Sequence, residues 1–250
     1  NSTYRALVVS KVDNKIYNRK VTDCKISDLP PGDILIRVHY SSLNYKDALS
    51  CVGHPGVTRH YPHTPGVEAS GEVIKSSDNQ FKRGDLVIVS GHKLGMDTSG
   101  GFGQYIRVPS NWVIHLPHGL TTEEASTFGV AGFTAALSVD ILKKFYLDSD
   151  LGEILVTGST GGVGSVSVAL LSHLGYNVVA STGKKEYSKF LTELGAKRII
   201  SREELQEISS KPLLKTIWAA AIDCVGGKTL SHILKTMKRG GEVVLSLIHI

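Results

Sequence analysis

The apolar positions of this chain change their period once, near residue 120. Before it, short β-rich runs at Tyr4–Val9, Ile34–Tyr40, Val67–Ile74, Asp85–Val89 and Gln104–Val108 are separated by turn clusters such as Pro30-Pro31-Gly32-Asp33 and Lys82-Arg83-Gly84-Asp85. That spacing predicts a compact β-barrel. One helix interrupts it, Tyr45–Cys51, just after Ser41-Ser42-Leu43-Asn44, and the aperiodic stretch from Pro55 to Pro65 reads as a loop. From Thr121 the period is helical, with Thr121 or Thr122 as N-cap, Glu123 and Glu124 in the first turn, and breaks at Gly129 and Gly132 before about Phe145. Strands at 154–157, 177–181, 197–200, 218–223 and 242–247 then alternate with helices at 163–174, 185–194, 203–209 and 227–238. Alternation of this kind predicts a parallel sheet covered on both faces, one strand short of the six-stranded doubly wound form. The fold class is therefore α/β: an N-terminal barrel domain over residues 1–124 and an incomplete doubly wound (Rossmann) domain over residues 125–250.

The junction of the first strand and helix of the second domain carries the strongest chemical signal. Ile154-Leu155-Val156 is fit for a buried parallel strand, and Val166, Ala169, Leu170 and Leu174 recur at helical spacing. Between them lie Gly158, Ser159, Thr160, Gly161, Gly162, Val163 and Gly164. Glycine lets a backbone approach a pyrophosphate closely, and the N–H groups of a helix start face the anion. A tight turn with no ligand is the bland alternative, and the strand and helix flanks favour a dinucleotide over it.

The next strand says which dinucleotide. An enzyme that prefers NAD usually ends that strand with an acid that holds the ribose 2′-hydroxyl. Here the chain runs Ser181-Thr182-Gly183-Lys184-Lys185, with hydroxyls and cations where a 2′-phosphate would sit. Lys184 and Lys185 could instead begin a solvated helix. The missing acid and its basic replacement favour NADPH.

Composition narrows the class without changing it. The chain has 250 residues, 41% hydrophobic and 20% charged, with a net charge of +5 and dispersed basic residues, so no nucleic-acid partner is expected. Cys24, Cys51 and Cys224 are too few and too scattered for a disulfide framework or structural zinc, which fits a reducing, cytoplasmic setting. No run approaches the roughly 18 apolar residues of a membrane span, and Asn1–Ser10 has no signal-peptide layout, so no membrane partner is expected.

Three stretches point to a family: SSLNYKDAL at Ser41–Leu49, PGVEASGEV at Pro65–Val73 and AGFTAALSV at Ala131–Val139, all ahead of the glycine turn. With FKRGDLVIV, GGFGQYIRVP and LGAKRII, they resemble the zinc-independent medium-chain dehydrogenase/reductase superfamily, in the quinone-oxidoreductase-like branch that includes acryloyl-CoA reductases. The likeness runs to about Glu242. It implies a GroES-like β-barrel joined to a Rossmann domain, with the active site in the cleft between them.

The resemblance also implies the chemistry. Zinc members use a Cys and a His ligand, the latter in Gly-His-Glu; here the triplet is Gly66-Val67-Glu68, and the cysteine position falls at Asn44-Tyr45. Cys51 and His54 form a C-x-x-H pair, but a catalytic zinc needs three protein ligands, so no metal is expected. His54, His60 and His63 read as loop residues, with contact to a substrate phosphate as the lesser option. Reduction of an activated C=C bond needs no Lewis acid: a hydride goes to the β-carbon and a proton to the α-carbon. The resemblance places Asn44 and Tyr45 facing the cofactor, Tyr45 as proton donor or as pocket wall. Asp47 takes a direct role or orients Lys46 and the helix. Thr134 contacts the cofactor or, equally, bonds its own helix backbone. Arg198, in LGAKRII, and Val225, in Asp223–Gly227 at a strand's carboxyl edge, complete the cofactor set with Ser181, Thr182, Gly183 and Lys184.

The implied substrate is a small molecule, an enoyl-CoA (acryloyl-CoA favoured) or a quinone. A non-catalytic NADPH-binding protein, as some lens relatives are, or an inactive fragment remains the alternative of another class. Thr157–Gly164 also satisfies the glycine pattern of short-chain dehydrogenases. Those enzymes carry it at the N-terminus and need a downstream Tyr-x-x-x-Lys, whereas Tyr176 meets Ala180 and Tyr187 meets Leu191. The chain reads as cut at its C-terminus, since relatives continue into a sixth strand and a return segment and Leu245–Ile250 does not resemble them. Full-length relatives are expected to be homodimers; this length would lack that contact and expose Val243–Leu247 instead.

Overall fold

A computed structural model describes residues 2–13, 16–144, 152–205 and 213–246. The chain packs into two units, Asn1–Val130 and Ala131–Ile250.

In the first unit, β1 (Thr3–Asp13) and β2 (Ile16–Lys25) form an antiparallel ribbon. β3 (Ile34–Tyr40), β4 (Glu68–Ser76), β5 (Leu86–Ser90), β6 (Tyr105–Val108) and β7 (Val113–His115) form an antiparallel sheet in the order β6-β3-β4-β5-β7. The two-residue period explains its core. Ile34 with Ile36, Val87 with Val89 and Ile106 with Val108 all point inward against Val73, Phe81 and Leu94. The strand pattern missed β2 because Asn18, Arg19, Lys20 and Asp23 face solvent, and the element is held by its backbone ladder to β1. It missed β7 because three residues are too short to show a period. Helix α1 (Tyr45–Cys51) lies where the sequence predicts it.

Helix α2 (Thr122–Lys144) starts at a reciprocal cap: Thr121 N donates to Glu124 Oε2 (2.8 Å), and Glu124 N donates to Thr121 Oγ1 (3.1 Å). Gly129 breaks it, at φ 52° and ψ −157°, whereas Gly132 sits within the helix; Phe145 lies outside the described residues. By length and composition alone α2 would be long and apolar enough to cross a membrane, contrary to the reading of the apolar runs. The break at Gly129 leaves a longer piece, residues 130–144, that reaches only about 22 Å at 1.5 Å per residue, short of a bilayer core of about 30 Å.

The second unit is a five-stranded parallel sheet in the order β10-β9-β8-β11-β12. Its strands are β8 (Glu153–Thr157), β9 (Asn177–Thr182), β10 (Arg198–Ser201), β11 (Trp218–Asp223) and β12 (Met237–Leu245), linked through α3 (Gly162–His173), α4 (Ser188–Glu193) and α5 (Gly227–Thr236). Alternate residues feed two cores, as a doubly wound sheet requires. Ile154, Val156, Val178 and Ile222 pack with Val139, Leu142, Val168 and Leu171 of α2 and α3, while Leu155, Val179 and Ala221 pack with Leu205 and Ile233. The helix expected over 203–209 is a 3₁₀ turn, Glu203–Leu205, with 206–209 outside the described residues. β12 begins earlier than expected, pairing with β11 chiefly through Glu242–Leu245; Leu247 is outside the described residues. Val243 and Val244, expected to be exposed, are half-buried against the two cores.

Leu155, fully buried in the central strand, sets the stability of this unit. Leu155→Ala should lower unfolding free energy by about 2 to 5 kcal/mol, read as a reduced urea midpoint at unchanged slope.

Candidate functional site

The candidate residues fall into two clusters, one in each unit. In the second unit β8 delivers the chain into the turn at Gly158, whose φ of 59° favours glycine. A Cβ on Gly164 would stand 2.4 Å from Gly158 O and 2.8 Å from its carbonyl carbon, so the turn closes only around hydrogen at that position. Helix α3 then opens on Gly161, an N-cap with no side chain, leaving first-turn N–H groups of Gly162, Val163 and Gly164 to an anion. A Cβ on Gly162 would meet Ala131 Cβ at 2.9 Å, so the second segment of α2 abuts this turn. Thr134 stands one turn further along α2, and its carbonyl accepts the Ser138 hydroxyl at 2.8 Å.

Asp223, fully buried at the end of β11, ties this turn to the next. Its carboxylate accepts the Thr157 hydroxyl (2.5 Å) and the N–H groups of Val225 (3.1 Å) and Gly226 (3.0 Å), while Cys224 N donates to Thr157 Oγ1 (3.0 Å). Val225 is thereby held with Cγ2 3.5 Å from where a Gly158 Cβ would be. Sequence reasoning missed the Thr157–Asp223 link; an acid and a threonine, each at the carboxyl end of a predicted strand, were the available signal. Burial, reinforced by Asp223, pushes the Cys224 thiol up to about 12, so it stays protonated at neutral pH.

Two of the expected cofactor residues stand elsewhere. The Ser159 hydroxyl is fully buried and donates to Val156 O (2.6 Å), so only its backbone faces the turn. Arg198 is at the opposite, amino edge of the sheet, where it makes a two-pronged ion pair with Glu153 (3.0 and 2.6 Å) and lies over the Trp218 ring. Four residues of strand span roughly 13 Å, too far for it to serve the carboxyl edge. At that edge Ser181 and Thr182 are buried, Ser181 O accepting Ser159 N (3.2 Å) and Thr182 Oγ1 accepting Lys184 N (3.0 Å). Thr160 Oγ1 is 3.5 Å from Thr182 Oγ1, and exposed Gly183 and Lys184 follow. An arginine that sequence reasoning did not single out, Arg202, reaches this turn.

In the first unit Asp47 is fully buried. Its carboxylate accepts N–H groups from Asn44 (2.7 Å), Gly66 (3.0 Å) and Val67 (3.0 Å). A direct catalytic role for Asp47 is therefore set aside: it is a clamp that caps α1 and fixes the Gly66-Val67 backbone. Burial raises its carboxyl above the usual range against the pull of those N–H groups. Glu68, also buried, accepts Ser42 N (3.3 Å) and Val130 N, and its carboxylate fills the space where a Gly129 Cβ would be, 2.6 Å away. Asn44 Nδ2 donates to Ser42 Oγ (3.0 Å), and the Ser41 hydroxyl donates to Glu68 O (2.7 Å). This frame presents Tyr45, 66% exposed, at the first position of α1.

The histidines of the following loop do not gather. His63 is buried, its Nε2 2.8 Å from Gly95 O and its proton affinity lowered by burial; His54 Nδ1 accepts Gly56 N, and His60 is exposed. Val67, at the family's histidine position, is buried and aliphatic. Among the described residues no three His, Cys, Asp or Glu side chains are grouped to hold a metal.

Known proteins supply independent comparison. The alcohol dehydrogenase GroES-like domain family matches residues 30–118, and the zinc-binding dehydrogenase family matches residues 162–246. The acrylyl-CoA reductase AcuI of Ruegeria pomeroyi is 43% identical over 242 residues, 96% of this chain and 73% of that protein. The putative quinone oxidoreductase YhfP of Bacillus subtilis is 44% identical over 219 residues, 88% of this chain and 66% of its own length. Its crystal structure with NAD bound aligns at TM-score 0.94 and 41% identity, covering 99% of this chain and 75% of that one. The yhdH oxidoreductase of Salmonella enterica in complex with NADP aligns at TM-score 0.92 and 42% identity, over 96% and 74% of the two chains. This chain thus spans about two thirds to three quarters of the length of these relatives.

Burial raises the Glu68 carboxyl, against hydrogen bonds from Ser42 and Val130. A folded-state value above the unfolded one makes stability fall as pH rises from the ordinary glutamate value to the raised one. Glu68→Gln removes that dependence. The stability difference, wild type minus variant, should shrink with rising pH across that window in urea titrations; a flat or growing difference would contradict the burial argument.

Proposed function

The chain belongs to the quinone-oxidoreductase-like branch of the medium-chain dehydrogenase/reductase superfamily, and from that premise we propose that it is an NADPH-dependent, metal-free reductase of activated C=C bonds. The observation that carries this reading is the closed glycine turn at Gly158–Gly164 opening onto the uncapped start of α3. Relatives at 42 and 41% identity crystallised with NADP and NADPH support the choice of nucleotide. YhfP crystallised with NAD makes the preference a property to be measured on this chain.

The residues fit the nucleotide on structural grounds: the turn has no room for a side chain at Gly162 or Gly164, and the first-turn N–H groups of α3 suit a pyrophosphate. When bound, the nicotinamide supplies a hydride to the β-carbon of an α,β-unsaturated carbonyl. The chain's own part is to hold, orient and protonate. Gly158, Thr160, Gly161, Gly162, Val163 and Gly164 bind the pyrophosphate through backbone groups, and Val225 and Thr134 line the turn. Asp47 and Glu68 are positioning residues, because each spends its carboxylate on backbone N–H groups. Asn44 caps α1, and Tyr45 offers the phenol that delivers a proton to the α-carbon. With Val67 and Asn44-Tyr45 at the family's ligand positions, no donor set for zinc is built there.

The substrate is a small molecule, and an enoyl thioester such as acryloyl-CoA is the favoured one, on the names of two relatives, from Ruegeria pomeroyi and Escherichia coli. A quinone is the second reading, favoured by the name of YhfP. NADPH oxidation measured with acryloyl-CoA, a quinone and a simple enone decides between them: the highest kcat/KM should fall on acryloyl-CoA, and turnover on none, with NADPH binding intact, would leave a nucleotide-binding protein without catalysis.

Lys184 replaces the acid of NAD-preferring relatives. Lys184→Ala should weaken NADPH binding by about 1 to 2 kcal/mol and leave NADH nearly unchanged in fluorescence titrations. Equal losses for both would refute the assignment.

A further inference from the structure

We propose that Tyr17, on the largely solvated strand β2, is a positioning residue for the phenol of Tyr45: its ring closes the C-terminal end of α1 and so fixes where the helix holds its first residue. This rests on the reading of Tyr45 as proton donor above. The helix needs such a hold, because its fully buried residues are Asp47 and Ser50, both polar, and no fully buried apolar side chain seats it in the core. Asp47 secures the N-terminal end through Asn44, Gly66 and Val67. The other end lies about 9 Å along the axis at 1.5 Å per residue, and a two-turn helix pinned at one end alone can pivot.

That end stops in a Schellman turn. His54 N donates to Leu49 O (3.0 Å) and Gly53 N to Ser50 O (3.2 Å), with Gly53 at φ 78°, where glycine is favoured. The bare α-carbon of Gly53 is covered by Tyr17: a Cβ there would fall within the ring, against Cε2 and Cζ and 2.5 Å from the hydroxyl oxygen. Tyr17 leans in turn on Tyr61, ring centres 4.8 Å apart and tilted by 57°, and the Tyr61 hydroxyl donates to Ser50 O (2.7 Å). Arg19, two residues along β2, reaches Cys51 O (3.5 Å). The last carbonyls of α1 are thus met by its own turn, by the loop and by β2. The ribbon is rooted where Val9, buried in β1, exchanges two backbone hydrogen bonds with His63 (2.7 and 2.9 Å). Among the described residues beyond that root, Val12 and Ile16 face solvent, and Tyr17 alone of the apolar side chains is half-buried. The contact of ring on glycine is what this end of the ribbon contributes.

The test reads turnover and the end of α1 separately, in the full chain. Tyr17→Ala should lower kcat about tenfold or more, since displacing a reacting group by about 1 Å can cost about a hundredfold. The KM for NADPH should not change, because the glycine turn belongs to the other unit. The solvent deuterium isotope effect on kcat should rise as proton delivery slows. Tyr17→Phe keeps the ring and should retain wild-type rates, whereas Gly53→Ala, opposed by both the ring and the positive φ, should repeat the defect. Burial holds the Cys51 thiol above its ordinary value, so loosening this end should speed its alkylation by iodoacetamide, followed by mass spectrometry. Tyr17 lies outside the buried clusters, and thermal unfolding will show that the variants fold. Unchanged kcat and unchanged alkylation in Tyr17→Ala overturn the proposal, as does a defect shared by Tyr17→Phe. Normal kcat in Tyr17→Ala beside a slow Tyr45→Phe also overturns it. Faster alkylation with normal kcat in both Tyr17→Ala and Tyr45→Phe keeps the hold on α1 and overturns the proton-donor reading instead.

Discussion

A carboxylate taken out of water must find N–H or O–H donors to replace it, and three buried carboxylates hold the functional parts of this chain in place on that condition. Asp223 joins the end of β11 to the glycine turn through Thr157 and then caps its own turn through Val225 and Gly226. Asp47 gathers Asn44, Gly66 and Val67, and Glu68 gathers Ser42 and Val130. Each brings together backbone segments distant in sequence, and each would leave its donors buried and unpaired if lost. The chemistry assigned to the phenol of Tyr45 depends on that fixing, whereas α3 is also seated by Val168 and Leu171 in the core of its unit.

Much of this was legible in the chain. α1 and β11 fall on their predicted ranges, because their patterns are local and strong. β2 was not legible: its side chains are mostly solvated, and only its partner β1 makes it a strand. The glycine turn was readable as a turn, but the reason Gly164 must be glycine, the approach of Gly158 O, belongs to the folded backbone.

Side-chain roles were the hardest to read, for a reason that Arg198 and Arg202 make plain. Both lie in one short segment, LGAKRIISR, and both are cations near a predicted strand. Which end of a parallel strand a residue occupies decides whether it stands at the carboxyl edge, as Arg202 does, or is taken up by a structural partner at the amino edge, as Arg198 is, and a shift of four positions exchanges the two. Ser159 carries the same lesson at smaller scale: in a phosphate turn its hydroxyl reads as a ligand, yet the fold aims it at Val156 O.

Gly129 carries a consequence for inheritance. Its backbone sits at φ 52°, and the volume a methyl group would need is held by the Glu68 carboxylate. A lineage that acquired alanine at 129 would meet both obstacles together. Shortening the acid at 68 would relieve the crowding and strand Val130 N and Ser42 N, and restoring the acid would bring the crowding back. The two positions, far apart in the gene, are thus locked as a pair: neither offers the other a viable first step, so drift at one is arrested by the other.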